Sequence, residues 1–354
     1  MGAYTYTVKK VVGLGTTPIE NVQDISWSVG RKLITDQVAS GRFMVSGRRP
    51  DLLPSIAIGD VIEVAYGPAF DFVNFKVADF QIDYGFTATG DTWVITGEDA
   101  FAELGRVNAS FYIGGTTGDS LQALEAATSV PITTRFGGTD IYTQFLTNAN
   151  GLTVASQLFT GEQGSYYFAT ATDVLWDVRQ PFAGYDTFVA TDETPGALEW
   201  KYDSLEFNGL ADNYATKINI SSDGVGTSTA GTGNRTYEMT TYNSDLDYME
   251  NIAGLYAGYL SGSTIAPSSI SLIAENQTST KKIISSFQWS LSNANLFNIK
   301  FRGTTYYTMV LGITVTATPE LTRVTYNLAP STVLASFILD SASRGVLDQN
   351  RLGF

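Results

Sequence analysis

The chain has 354 residues, 44% hydrophobic and 16% charged, with 35 acidic against 21 basic side chains and a formal net charge of −14. That is enough apolar sequence for two or three ordinary cores and too little charge for a disordered chain, while the acidic balance argues against a nucleic-acid surface, which needs basic patches that release counterions. With neither cysteine nor histidine, the chain has no disulfide, thiolate nucleophile, zinc ribbon or imidazole base, which leaves an enzyme only paired carboxylates, a Lys or Tyr base, or a carboxylate metal site.

Thirty-four glycines against ten prolines, among many Thr, Tyr, Phe and Val residues, favour short strands joined by turns over long helices, so the fold class is mainly β. The opening MGAYTYTVKK lacks a charged region followed by an apolar stretch, and no apolar run approaches the roughly 20 residues of a membrane span, so a soluble chain without a membrane anchor is expected. From Tyr4 to about Phe101, period-two alternation places strands at Tyr4–Val12, Ile25–Val29, Arg42–Val45, Val61–Tyr66, Phe72–Tyr84 and Trp93–Thr96. Strands at this spacing make residues 1–105 an N-terminal β-barrel. Glu98 and Asp99 are adjacent in that pattern, and neighbours on a strand face opposite ways, so they do not form an acid/base pair.

Residues 106–204 read as an α+β insertion. Asp119–Ala126 predicts a short helix capped by Gly118 or Asp119, with Leu121 and Leu124 buried, and Thr153–Thr160 predicts a second, ended by Gly161. Ser165–Ala169 and Val174–Val178 then form a hairpin carrying Tyr166, Tyr167, Phe168 and Trp176, either as core or as an aromatic platform for a sugar.

Residues 205–330 read as a second β-barrel with a long helix near 245–260. Thr216–Ser221 alternates cleanly, and the Gly/Ser/Thr-rich stretch Asp223–Asn234 is a loop that lacks the Lys and following helix of a phosphate-binding loop. In the helix Asp245–Leu260, Ser244 and Asp247 make a variant capping box, and Ile252, Leu255, Tyr256 and Tyr259 share the buried face. Asp245, Asp247 and Glu250 lack the glycine and loop length of an EF-hand, so cap chemistry accounts for them. Further strands are expected at Ile270–Ala274, Ile283–Trp289, Tyr306–Ala317 and Arg323–Leu328.

Residues 331–354 form a C-terminal docking arm rich in apolar side chains, where ordinary termini turn polar. Its motifs are Leu339-Asp340, Gly345-Val346-Leu347-Asp348 and Arg351-Leu352-Gly353-Phe354. This ending resembles that of minor tail proteins in long-tailed bacteriophages of Gram-positive hosts. The order of pieces (barrel, α+β insertion, second barrel with a long helix, arm) is similar to that of baseplate hub and tail-associated proteins of tailed phages and related injection machines. The resemblance implies a structural protein, not an enzyme, without cofactor or metal, in the virion tail tip and assembled in the host cytoplasm. It implies a homotrimeric ring in which two barrels per chain adapt a hexameric tube to a threefold spike. Partners would be copies of itself, distal tail and tail tube proteins, the tape-measure protein, and spike or fibre proteins. The ring would close the tube and let DNA pass without specific binding. Phe337, Leu339, Val346, Leu347, Arg351, Leu352 and Phe354 form the expected assembly interface, docked in cis or in trans. Two alternatives are a receptor- or glycan-binding module built on Tyr166–Trp176 and a carboxylate-only glycosidase using Glu199 with Asp203 or Asp83 with Asp91. No peptidase or muramidase motif accompanies the tail-like ending.

Overall fold

A computed structural model describes residues 6–33, 35–66, 71–87, 90–162, 165–178, 188–196, 199–208, 214–260, 266–273 and 296–330. The chain opens with β1 (Tyr6–Val12), β2 (Gly15–Ile19), β3 (Val22–Gly30), β4 (Arg42–Arg48), β5 (Val61–Tyr66), β6 (Asp71–Asp83) and β7 (Thr92–Glu98), laid side by side in the order β2-β1-β5-β6-β7-β4-β3. All their pairings are antiparallel. Strict alternation explains why they form a sheet. In β7, Trp93, Ile95 and Gly97 are buried while the residues between them are half-buried, and Trp27, Phe43, Val45, Ile62, Val64 and Phe75 meet them from the neighbouring strands. Phe43 stacks on Phe75 with ring centroids 4.9 Å apart. β2 escaped the sequence reading because GTTPI carries only one buried apolar residue, Ile19; the hairpin at Gly13, with φ +57°, supplies its partner.

Next come α1 (Ala100–Arg106), β8 (Asn108–Thr116), α2 (Thr117–Thr128), β9 (Ile132–Thr134), β10 (Asp140–Asn150), α3 (Gly151–Thr160), β11 (Ser165–Ala169) and β12 (Val174–Val178). They surround a separate core in which Phe101, Leu104, Leu121, Leu124, Leu158, Phe159 and Trp176 are buried. The α2 cap is Thr116 in a full capping box with Asp119, two or three residues earlier than expected, and Asn150 caps α3. The hairpin β11–β12 has the residues the sequence assigned to it.

The last part contains β13 (Phe188–Thr191), β14 (Glu199–Lys201), β15 (Ser204–Asn208), β16 (Lys217–Ser222), β17 (Gly226–Gly231), β18 (Thr236–Thr241), α4 (Leu246–Leu260), β19 (Ala266–Ile273), β20 (Leu296–Phe301), β21 (Thr304–Ala317) and β22 (Thr322–Pro330). β17, β16 and β18 form a small sheet covered by α4, whose Met249, Ile252, Ala253 and Tyr256 are buried against Ile218 and Ile220. The stretch read as a loop, Asp223–Asn234, therefore contains a strand: β17 pairs with β16 from Gly226 to Gly231, where small residues lie beneath the helix. The α4 cap is Asp245, which accepts from Asp247 N (2.8 Å) and Tyr248 N (3.4 Å), whereas Ser244 Oγ donates away to Asp140 O (3.1 Å). The expected strand Ile283–Trp289 lies outside the described residues.

β13–β15 and β19–β22 repeat the plan of β1–β7. Their order is β14-β13-β20-β21-β22-β19-β15, so with the strands of each set ranked along the chain, every neighbour relation of the first set recurs in the second. The longest strand of each set carries a bulge at the same place, between Val77 and Asp79 in β6 and between Val310 and Gly312 in β21. The sets differ at β13, which runs parallel to β14 and β20 where β1 runs antiparallel to β2 and β5. Mainly β architecture was expected. The expected barrels are open coils: no ladder among the described residues joins β2 to β3 or β14 to β15, and β3 instead pairs with β21, Ile25 against Ala317 through Gly30 against Gly312, fusing both sets into one 14-stranded sheet.

That seam depends on close backbone approach. Gly30 has φ +84°, and a Cβ there would fall 2.4 Å from Leu311 O and 2.6 Å from Gly312 Cα. Gly30→Ala is expected to destabilise the protein by roughly 2–4 kcal/mol, read as a lowered midpoint in urea unfolding, from strain plus steric clash. An unchanged midpoint contradicts the seam geometry.

Candidate assembly interface

The seven arm residues singled out in the sequence, Phe337, Leu339, Val346, Leu347, Arg351, Leu352 and Phe354, lie outside the described residues. The carboxylates proposed as glycosidase pairs have other occupations: Glu199 binds Lys300 Nζ (2.5 Å), Asp203 binds Arg323 (3.1 Å), Asp83 accepts from Gln81 Nε2 (3.1 Å) and Asp91 from Gly85 N (2.8 Å). No three His, Cys, Asp or Glu side chains cluster as metal ligands among the described residues, and no described helix is long and apolar enough to cross a membrane. Trp176 is fully buried, and Phe159 stacks on Tyr167 at 4.7 Å inside the same core. Trp176, Phe159 and Tyr167 thus pack the core of the insertion.

Two buried carboxylates fix how the parts meet. Glu162, at the end of α3, is 6% exposed. Its Oε1 accepts from Thr117 Oγ1 at the start of α2, from Thr139 N (2.6 Å) and from Thr139 Oγ1 (2.8 Å), and its Oε2 accepts from Tyr248 OH of α4 (3.2 Å). Asn243 Nδ2 extends the network to Thr139 Oγ1 (2.9 Å). A carboxyl group this deep is tolerated because four donors converge on it, and they pin the insertion to the α4 sheet. Gly138, at φ +78°, leaves the space; a Cβ there would lie 2.5 Å from Glu162 Oε1. Nothing local marks Glu162, a lone acid between glycines.

Asp99 is 2% exposed and caps α1. Its Oδ2 accepts from Gly41 N (2.7 Å) and its Oδ1 from Phe101 N (3.1 Å), which ties the β3–β4 connection to the insertion. Burial pushes its pKa up to about 6, against the opposing pull of the Gly41, Ser40 and Phe101 donors. The adjacent-strand reading of Glu98 and Asp99 misses this: Glu98 ends β7 and pairs with Arg106, and Asp99 begins a helix. An Asp followed by Ala-Phe-Ala-Glu-Leu was the available signal.

The outer surface carries apolar side chains at particular places. Leu14 and Phe86 stand fully in solvent at the tips of the β1–β2 and β6–β7 hairpins, with Ile58 and Tyr84 more than three-quarters exposed beside them. Tyr112 and Phe145 face each other across β8 and β10 with centroids 4.7 Å apart, and both are exposed. Open sheet edges and protruding apolar tips suit a chain that binds neighbours.

No family model matches the sequence, and no curated protein matches it. Solved structures do. A tail protein from Neisseria meningitidis superposes with a TM-score of 0.65 over 93% of this chain and 98% of its own, at 12% identity. The 43 kDa tail protein of prophage MuSo2 from Shewanella oneidensis gives 0.60 over 92% and 98%, at 11% identity. An Escherichia coli component of the type VI secretion system, described as similar to tail proteins of bacteriophage T4, gives 0.50 over 88% and 73%, at 9% identity. At such identities the likeness is one of fold. The chain has the fold of phage tail and baseplate hub-like proteins, as its ending suggested.

Removing the buried acid with Glu162→Ala strands the Thr117, Thr139 and Tyr248 donors and is expected to cost roughly 2–4 kcal/mol by chemical denaturation. Asp99 predicts a pH signature. Its native pKa exceeds the ordinary 3.8, so the folded state holds its proton more tightly, and the stability this gives is full below pH 4 and lost as pH rises through 6, by roughly 3 kcal/mol in all. In Asp99→Asn that slope disappears. The wild type's margin over the variant therefore shrinks from pH 4 to pH 7, and parallel stability curves contradict the assignment.

Proposed function

We propose that this chain is a structural component of a phage-type tail, placed at the tail tip as a hub ring between the tail tube and the distal spike or fibre. The observation that carries the reading is the end-to-end fold likeness to tail proteins, over 93% of this chain in one case. The repeated seven-strand plan within the 14-stranded sheet supports it further, since two like units per chain let a ring of fewer copies meet a tube of higher symmetry. On this reading the ring is a homotrimer, its contacts are heterologous, and tube closure and DNA passage are mechanical consequences of its assembly. The acidic chain, at −14, repels a passing phosphate backbone and does not hold it. The arm residues Phe337, Leu339, Val346, Leu347, Arg351, Leu352 and Phe354 dock on a neighbouring tail protein. The work of the surface is binding; the inside of the chain is core.

Antibody against the purified chain is expected to label one end of tails in negatively stained particles from the producing strain. Deleting the gene is expected to leave heads with no functional tail tips. Normal tails in the deletion strain, or tails free of label, contradict the proposal. Deleting residues 331–354 should leave the thermal midpoint within about 2 °C while abolishing incorporation into tails, because the arm's partner lies outside its own globule; such a loss without unfolding separates docking from folding.

A further inference from the structure

The internal repeat specifies an interface between copies. β3 of the first strand set pairs with the C-terminal half of β21, the longest strand of the second. The counterpart of β21 in the first set is β6, and the counterpart of β3 in the second set is β15. Among the described residues neither has its corresponding partner. β5 covers β6 only from Asp71 to Lys76, and the β4–β5 turn covers Val77 through Asp60 O (2.7 Å). From Asp79 to Asp83 the β5 side of β6 has no ladder among the described residues, and Phe80 N–H is held locally by Asp79 Oδ1 (2.9 Å). Among the described residues β15 pairs with β19 alone. We propose that β15 of one copy adds antiparallel to the Asp79–Asp83 edge of β6 in a second copy, repeating between chains the β3–β21 seam found within each chain.

The ladders set the register. In the first set one rung runs Thr316, Ser26, Met44, Thr96, Asp79. In the second, the matching rung runs Glu206, Ser269, Asn327, Gly312, with its first place vacant. Because the two bulges align Asp79 with Gly312, Thr316 corresponds to Asp83, and Asp83 of the second copy fills the vacant place opposite Glu206. The faces agree: the next rung is apolar in both sets, Ile25, Val45, Ile95, Phe80 in one and Leu205, Ile270, Tyr326, Ile313 in the other, and it brings the exposed Tyr84 beside Leu205. A one-residue slip breaks that match on every strand. The contact joins unlike edges, so it propagates around a ring and does not close a two-fold dimer. Asp83 opposite Glu206 places two acids together, a repulsion that delays closure until salt or a neighbouring tail protein offsets it.

This inference rests on the ring reading above, and its test separates the two. The chain has no cysteine, so Asp83→Cys and Glu206→Cys introduce the only thiols, at exposed positions. Sedimentation velocity in moderate salt should show the wild type as an oligomer at high protein concentration. Under the same conditions, oxidation of a mixture of the two single variants should give a covalent dimer, the double variant should give a ladder ending at the ring size, and each single variant alone should give neither. Asp83→Lys should tighten association roughly two- to fivefold, and adding Glu206→Lys should cancel the gain. An oligomer that does not cross-link, or single variants that cross-link with themselves, overturns the edge pairing and leaves the tail reading intact. A wild type that stays monomeric at every salt and protein concentration overturns the pairing outright, and unlabelled tails in microscopy remove the ring reading beneath it.

Discussion

The pairing of β3 with β21 is the constraint on which the rest of the molecule depends. Without it the chain would hold two open sheets, each ending in an unpaired strand; with it, strands nearly three hundred residues apart in sequence share one backbone ladder and one core. That core runs continuously from Trp27 and Trp93 to Phe297, Val315 and Tyr326. Long-range ladders of this kind are expensive in loop entropy, so they persist only where the buried area behind them is large. Gly30 and Gly312 give the two backbones room to meet at the point where β3 leaves the sheet.

From that point the β3–β4 connection distributes the contact to the other parts. Arg31 N donates to Leu311 O (3.0 Å) and its guanidinium hydrogen-bonds Tyr256 of α4. Tyr237 OH reaches Thr35 O (3.3 Å), Val38 N donates to Ser156 Oγ of α3 (3.3 Å), and Gly41 N ends the segment on Asp99. A single connection thus touches the α4 sheet, the insertion and both strand sets. Glu162 closes the circuit by joining α2 and α3 to α4. The buried polar groups therefore sit at joints between parts, where hydrogen bonds fix an orientation that apolar packing alone leaves adjustable. A scaffold that must present several edges at fixed angles needs that kind of joint.

Much of this was legible in the sequence, for a physical reason. Strands half-buried in a sheet alternate, so β5, β11 and β12 could be read to the residue and β6, β19, β21 and β22 to within a few, and α4 announced itself by its apolar spacing and acidic first turn. What stayed hidden has no local signature. β17 is made of Gly, Thr, Ser and Ala and becomes a strand only because β16 lies beside it and α4 above it. β2 is a strand because a left-handed Gly13 returns the chain against β1. α1 was masked by the strand pattern running into Asp99. The open form of the two strand sets and their fusion through β21 depend on which edges meet, and edges leave no periodicity. Of the site, the sequence suggested an assembly role from the apolar ending and pointed at residues 331–354, whereas the sheet adds the edges of β6 and β15 that carry no ladder among the described residues.

The most direct measurement is hydrogen exchange on the chain free in solution and in intact tails, followed at the backbone amides of Asp79–Asp83 and Ser204–Asn208. A scaffold that assembles through unlike strand edges predicts that the amides of these segments facing away from β7 and β19 exchange fast in the free chain and are strongly protected in the tail, while those bonded to β7 or β19 and the amides of Ile313–Ala317 are protected in either state. Fast exchange at both segments in the assembled tail would contradict it.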